Sequence, residues 1–123
     1  MGYYSTVKVY TEEKAYKEIK EIIDSYDYNK PNNIQFVACA TPHYIITWED
    51  RKWYFNDCVD AIEKKLEEII HKEEIGYAVK QIIIGEDNAV EEKSNELGFN
   101  TFCDYYTITT VTEPTGKVTN IEV

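Results

Sequence analysis

Only three cysteines are present, Cys39, Cys58 and Cys103, far apart and without a Cys-x-x-Cys pair. That spacing excludes a disulfide framework and a paired-cysteine zinc site, and it suits free thiols in a reducing cytosol. Long apolar runs are missing too: stretches such as Ile82-Ile83-Ile84 fall far short of the ~20 residues that a membrane span needs. Met1-Gly2-Tyr3-Tyr4 has neither the basic start nor the apolar stretch of an export signal, so a cytoplasmic protein is expected. Gly2 and Thr6 fit the spacing of a myristoylation site, but the bulky Tyr3 and the strand-like continuation speak against it. Arginine is limited to Arg51, beside twelve lysines. Together with many Ile and Asn, that is a compositional mark of an AT-rich genome.

Positive charge as a whole is scarce, and the net charge is −10. Residues 1–56 carry eight acids against seven bases, whereas residues 57–123 carry fifteen against six. Nucleic acid is therefore disfavoured as a ligand, because polyphosphate binding draws its affinity from Lys and Arg that release counterions. The opposite role is permitted, an acidic surface offered to a basic cleft.

With 123 residues the chain is of single-domain length and buries roughly two thirds of its unfolded surface. Tyr3 to Tyr10 alternates, Val7 and Val9 on one face and Tyr4, Thr6, Lys8 and Tyr10 on the other, which predicts a strand. Thr11 is the expected cap of a helix whose stripe is Ala15, Tyr16, Ile19, Ile22, Ile23 and Tyr26. After the loop Asn29-Lys30-Pro31-Asn32-Asn33, strands are predicted over Ile34 to Thr41 and Tyr44 to Trp48. Glu49-Asp50-Arg51 reads as a tight polar turn into a short strand, Lys52-Trp53-Tyr54-Phe55.

Asn56 or Asp57 caps a second helix with the stripe Val59, Ile62, Leu66, Ile69 and Ile70, expected to end near Gly76. Ala78 to Ile84 is β-branched enough for a covered, central strand. Gly85-Glu86-Asp87-Asn88 then turns into a short third helix, with Val90, Ser94 and Leu97 inward and Gly98 at its end. Tyr105 to Thr112 reads as a strand, Glu113-Pro114-Thr115-Gly116 as a turn, and Lys117 to Val123 as an edge strand or tail.

The expected fold class is α+β: a two-layer sandwich with an antiparallel or mixed sheet and helices on one face. Its core is a ferredoxin-like β-α-β-β-α-β unit, followed by a further α-β. Residues 1–116 form the domain and 117–123 its terminal strand or tail.

Three stretches together carry a resemblance. They are Met1-Gly2-Tyr3-Tyr4-Ser5-Thr6, then Lys52-Trp53-Tyr54 running into Asn56-Asp57, then Ile84-Gly85-Glu86-Asp87. In that order the chain resembles a loose group of small phage and prophage proteins that open with an MGYY strand and carry a KWY motif. The resemblance implies a viral or mobile-element accessory protein acting in a bacterial host cytoplasm. It implies no chemistry and carries over no functional residues.

Catalytic readings have little to stand on. His43 and His71 are the only imidazoles, and a nucleophile needs a base that is itself oriented. Glu67 and His71 lie one turn apart but supply only two metal ligands, with no His-Glu-x-x-His pattern. Cys58 begins the second helix, yet Asp57 and Asp60 oppose a thiolate there. Gly85-Glu86-Asp87 lacks the glycines and lysine of a phosphate loop. The carboxylates Glu86, Asp87, Glu91 and Glu92 lack the spacing of a calcium loop. No cofactor or metal is expected.

What remains is a non-enzymatic accessory or anti-defence protein. Its acidic residues Glu86, Asp87, Glu91, Glu92, Glu96 and Asp104, opposed by Lys93, would meet a basic surface of a host protein, in the limit as a nucleic-acid mimic. Trp53 and Tyr54 are the expected aromatic anchors. The alternative is an oligomer that sequesters a nucleotide-like signal through Arg51, Lys52, Lys80 and Lys117. A small hydrolase or metal enzyme is the third reading.

Overall fold

The computed structural model describes residues 3–54, 56–72, 74–102 and 117–122. The chain is α+β, with β1 Ser5–Thr11, α1 Glu13–Asp24, β2 Asn33–Ala38, β3 His43–Arg51, α2 Asp57–Ile70, β4 Val79–Gly85, β5 Val90–Ser94, α3 Glu96–Phe102 and β6 Lys117–Ile121. The strands form one six-stranded sheet in the order β5-β4-β1-β3-β2-β6, every neighbouring pair antiparallel. Its inner four, β4-β1-β3-β2, interleave as a split β-α-β-β-α-β core requires: each helix crossover skips a strand position that the other half fills.

The alternation in β1 has the expected consequence. Val7 and Val9 join Ala15, Ile19 and Ile23 of α1, and Ile62, Leu66 and Ile69 of α2, in the larger core cluster. Removing each of these Val, Ile and Leu side chains from water contributes about 1.5–3 kcal/mol, so this face holds most of the stabilising burial. Tyr10 points the other way and is equally buried, with Val37, Ile45, Ala78, Ile82 and Phe102. Both faces of the sheet are therefore covered, α1 and α2 on one side and α3 on the other.

Several boundaries differ from the sequence expectation for identifiable reasons. Thr11 is the last residue of β1 and Glu12 takes the N-cap position of α1. Asn56, not Asp57, caps α2 by accepting from the Val59 N–H at 3.1 Å. That helix ends at Ile70, and Gly76 sits in the connection beyond it with φ +96°, a left-handed turn that glycine adopts freely. Its carbonyl accepts from the Ala15 N–H at 3.2 Å, which ties the connection to the start of α1.

Residues 90–94 form a strand, not the third helix, because Glu86-Asp87-Asn88 closes a hairpin with Asn88 at φ +66°. That is the geometry of a three-residue hairpin loop ending in a left-handed residue. The third helix starts at Glu96, with Gly98 inside it. Asn95, buried, organises this junction: its Oδ1 accepts from Gly98 N–H at 2.7 Å and Val79 N–H at 3.2 Å, while its Nδ2 donates to the Tyr77 carbonyl at 2.7 Å. The predicted strand Tyr105 to Thr112 and the turn after it lie outside the described residues.

Gly98 brings α3 directly onto β4. A Cβ there would lie 1.9 Å from the Val79 carbonyl oxygen, against main chain that cannot move aside. Gly98→Ala is expected to destabilise the fold by about 2 kcal/mol, the usual penalty of overpacking. Urea unfolding checks this, and an unchanged midpoint would show that α3 is free to lift off the sheet.

Candidate functional site

Two of the expected binding features meet at one corner, where β1 begins, β3 ends and the β4–β5 hairpin turns. β3 runs unbroken through Glu49-Asp50-Arg51, so the expected tight turn is absent. Between Val7↔Trp48 and Ser5↔Arg51 the β3 side carries one extra residue, and Asp50 takes φ +50°. This is a β-bulge, which bends its strand and redirects the chain beyond it. Lys52-Trp53-Tyr54 consequently leaves the sheet and crosses its end without forming the expected partner strand.

Trp53 is half-buried. Its ring packs at 4.9 Å from the Trp48 ring, and its indole N–H donates to Glu63 Oε1 of α2 at 3.2 Å. Tyr54 is exposed at its rim, and its hydroxyl accepts from the Tyr3 backbone N–H at 3.2 Å. Tyr3 in turn donates its hydroxyl to the Asp87 carboxylate in the hairpin. Tyr4 and Glu86 bond reciprocally: the Glu86 N–H reaches the Tyr4 carbonyl at 3.0 Å, and the Tyr4 N–H reaches the Glu86 carboxylate at 3.4 Å. The result is a cleft of about 190 Å³ bounded by Tyr3, Trp53, Tyr54, Ile83, Gly85 and Glu91.

The acids divide into paired and unpaired. Glu63 and Glu67 share Lys93, at 3.0 and 3.2 Å. Glu92 projects to the opposite face of β5 from Glu91, 3.9 Å from the buried Lys80 ammonium. Glu96 is exposed at the start of α3, away from the corner, and Asp104 lies outside the described residues. Glu86, Asp87 and Glu91, by contrast, make no ion pair among the described residues. The hydrogen bond from Tyr3, helped by the Ala89 N–H, holds the Asp87 carboxyl below the usual aspartate range, and the same bond raises the Tyr3 phenol. Asp87 therefore stays ionised at any pH near neutral.

The sequence alone named Trp53, Tyr54, Glu86, Asp87 and Glu91, as two separate features. It did not assign Tyr3 or Glu63 to a site. The MGYY opening was the available signal for Tyr3, and nothing local marks Glu63.

The cations proposed for a nucleotide are dispersed. Arg51 donates to Asn29 at 3.1 Å and to Asn32 at 2.9 Å, clamping the loop before β2. Lys52 lies 5.7 Å from the Tyr4 ring, Lys80 is buried, and Lys117 is exposed on β6.

His43 opens β3 and is fully buried. Its Nδ1 lies 2.7 Å from the Thr41 carbonyl, and Cys39 Sγ lies 3.2 Å from the same oxygen. A carbonyl only accepts, so Nδ1 carries the proton and cannot take one from the thiol 3.9 Å away. The two side chains are donors converging on one acceptor, not a nucleophile and its base. His71 is exposed at the C-cap of α2. Cys58 is buried, and burial pushes its thiol up, as suits an inert core cysteine. No group of three or more metal-ligating side chains occurs among the described residues. No helix there is long and apolar enough to cross a membrane. Comparison of the chain with protein-family models, with curated proteins and with solved structures finds no match.

Two titrations test this geometry. Tyr3→Phe is expected to raise the Asp87 titration toward the ordinary value of about 3.9, read from its carboxyl resonance by NMR. An unmoved titration would assign the shift to Ala89 alone. Burial of His43 lowers its pKa, against weaker opposite pulls from the Thr41 carbonyl and Glu12. The unfolded imidazole then takes a proton that the folded one resists, so stability is intact above about pH 6.5 and falls as the pH drops below it. Urea unfolding at pH 7.5, 6.5 and 5.5 should show that decline, and His43→Gln should flatten it. An equally steep profile in the variant would place the effect elsewhere.

Proposed function

We propose that the chain is a non-enzymatic binding protein that engages a basic surface of a partner protein through the corner of Tyr3, Trp53, Tyr54, Glu86, Asp87 and Glu91. One observation carries this reading: three carboxylates without ion pairs among the described residues surround aromatic rings that are fixed in place yet partly exposed. Unpaired charge of one sign steers an oppositely charged partner, and a fixed aromatic anchors it. A host protein that handles nucleic acid offers such a basic surface, in keeping with the accessory role that the phage-protein resemblance implies. Imitation of a phosphate row is the narrower form of this reading. It receives less support, because alternation along β5 sends Glu91 and Glu92 to opposite faces.

Nucleotide sequestration is second. The dispersal of Arg51, Lys52, Lys80 and Lys117 leaves it without a phosphate cradle among the described residues. A hydrolytic role rests on Cys39 and His43, whose shared acceptor ties up both donors.

The test is a pull-down from bacterial lysate at low and physiological salt, using the wild type, the triple variant E86K/D87K/E91K, and a control triple E13K/E21K/E74K at exposed positions elsewhere. Proteins held by the wild type and the control but lost by the corner variant support the reading. Their retention should fall about tenfold or more with salt, as for steered association. Identical recovery by both triple variants, or a bound nucleotide with no protein, would overturn it.

A further inference from the structure

We infer that the aromatic cleft at this corner takes an arginine side chain of the partner. The inference rests on the corner being the partner-binding surface and names what enters it. At about 190 Å³ the cleft is smaller than the ~300–1,000 Å³ of small-ligand sites, and it suits one inserted side chain. Its chemistry selects a flat cation. Tyr3 and Tyr54 expose 42% and 36% of their surfaces, and aromatic rings attract positive charge. Trp53 is held from behind by Trp48 and by its bond to Glu63, so little ordering remains to be done on binding.

Glu91 stands at the wall of the cleft with no ion pair among the described residues, an acceptor for the paired N–H groups of a guanidinium. A lysine ammonium is a compact, strongly hydrated point charge, whereas a guanidinium is planar, more weakly hydrated and stacks on rings. The same corner already holds one cation against a ring, with Lys52 Nζ 5.7 Å from the Tyr4 centroid. Another nearby cation, Lys93, is occupied by Glu63 and Glu67 and does not compete for Glu91.

The experiment titrates the full chain with two pentapeptides of equal charge, Lys-Lys-Arg-Lys-Lys and penta-lysine, at low salt. Tryptophan fluorescence and NMR shifts report binding. The arginine peptide is expected to bind about tenfold tighter, the scale of a stacked cation, with the largest shifts at Tyr3, Trp53 and Tyr54. Glu91→Gln should abolish that preference while leaving the unfolding midpoint unchanged, because Glu91 is exposed. Tyr54→Ala should weaken the preference and guards against a misfolded variant. Equal affinity for both peptides would overturn the arginine assignment and leave the basic-surface reading standing. Binding of neither peptide would overturn both. A preference that survives Glu91→Gln and Tyr54→Ala would place the arginine elsewhere and overturn the assignment.

Discussion

The pairing of β1 on both sides is the constraint on which the rest of the molecule depends. Ser5 lies opposite Gly85 on one side and Arg51 on the other, so the end of β3 and the tip of the β4–β5 hairpin are brought level at one point. Tyr3 and Tyr4 extend from that point between the two, which is why backbone at the N-terminus can bond both to Tyr54 and to Glu86. The register is enforced by burial. A slip of one residue would turn Val7 and Val9 out of the cluster with α1 and α2 and put Lys8 in their place. Exchanging two apolar side chains for a lysine would lose several kcal/mol of burial, a large share of a domain's net stability. The position of the corner is thus set by the core, not by the surface residues that compose it.

Packing at the corner obeys the same logic. Gly85 has its neighbour Tyr3 folded over it: a Cβ there would lie 1.7 Å from the Tyr3 hydroxyl oxygen. The absence of a side chain lets the ring lie flat and reach Asp87. The β-bulge at Asp50 supplies the complementary movement from the other side, carrying Trp53 onto Trp48. Each positions a ring, and bulges of this kind serve that purpose at sheet ends.

The secondary structure was legible wherever one period dominated. The alternation around Val7 and Val9 and the stripes Ala15–Ile19–Ile23 and Ile62–Leu66–Ile69 identify β1, α1 and α2, because a buried face leaves a regular mark. Val90, Ser94 and Leu97 misled, since their spacing also fits a helical face. The residues between them, Glu91, Glu92 and Lys93, belong to a short charged outer strand that buries little on either side and so leaves no clear period. Glu49-Asp50-Arg51 has the composition of a turn, and whether such residues turn or bulge is decided by the strand opposite. The residue types of the corner were legible, but their meeting was not. Tyr3 and Asp87 are 84 positions apart, and only the strand order brings them together.

The distribution of the excess negative charge connects fold to function. The half-buried pair of Lys93 with Glu63 and the more exposed one with Glu67 link β5 to α2, and they also neutralise the charge of both acids. Glu18 shows the same balance. Desolvation works against its charge, yet bonds from Tyr77, Lys72 and Lys65 outweigh it and keep its carboxyl low. Where lysines stand beside acids, the surface offers a partner no net field. At the corner Glu86, Asp87 and Glu91 make no ion pair among the described residues, and the Lys52 ammonium lies over the Tyr4 ring instead, so a net negative potential persists within roughly a Debye length, about 8 Å at physiological salt. Steering and anchoring then act at the same place. The unpaired carboxylates draw a cation in, and the aromatic cleft determines which cation can stay.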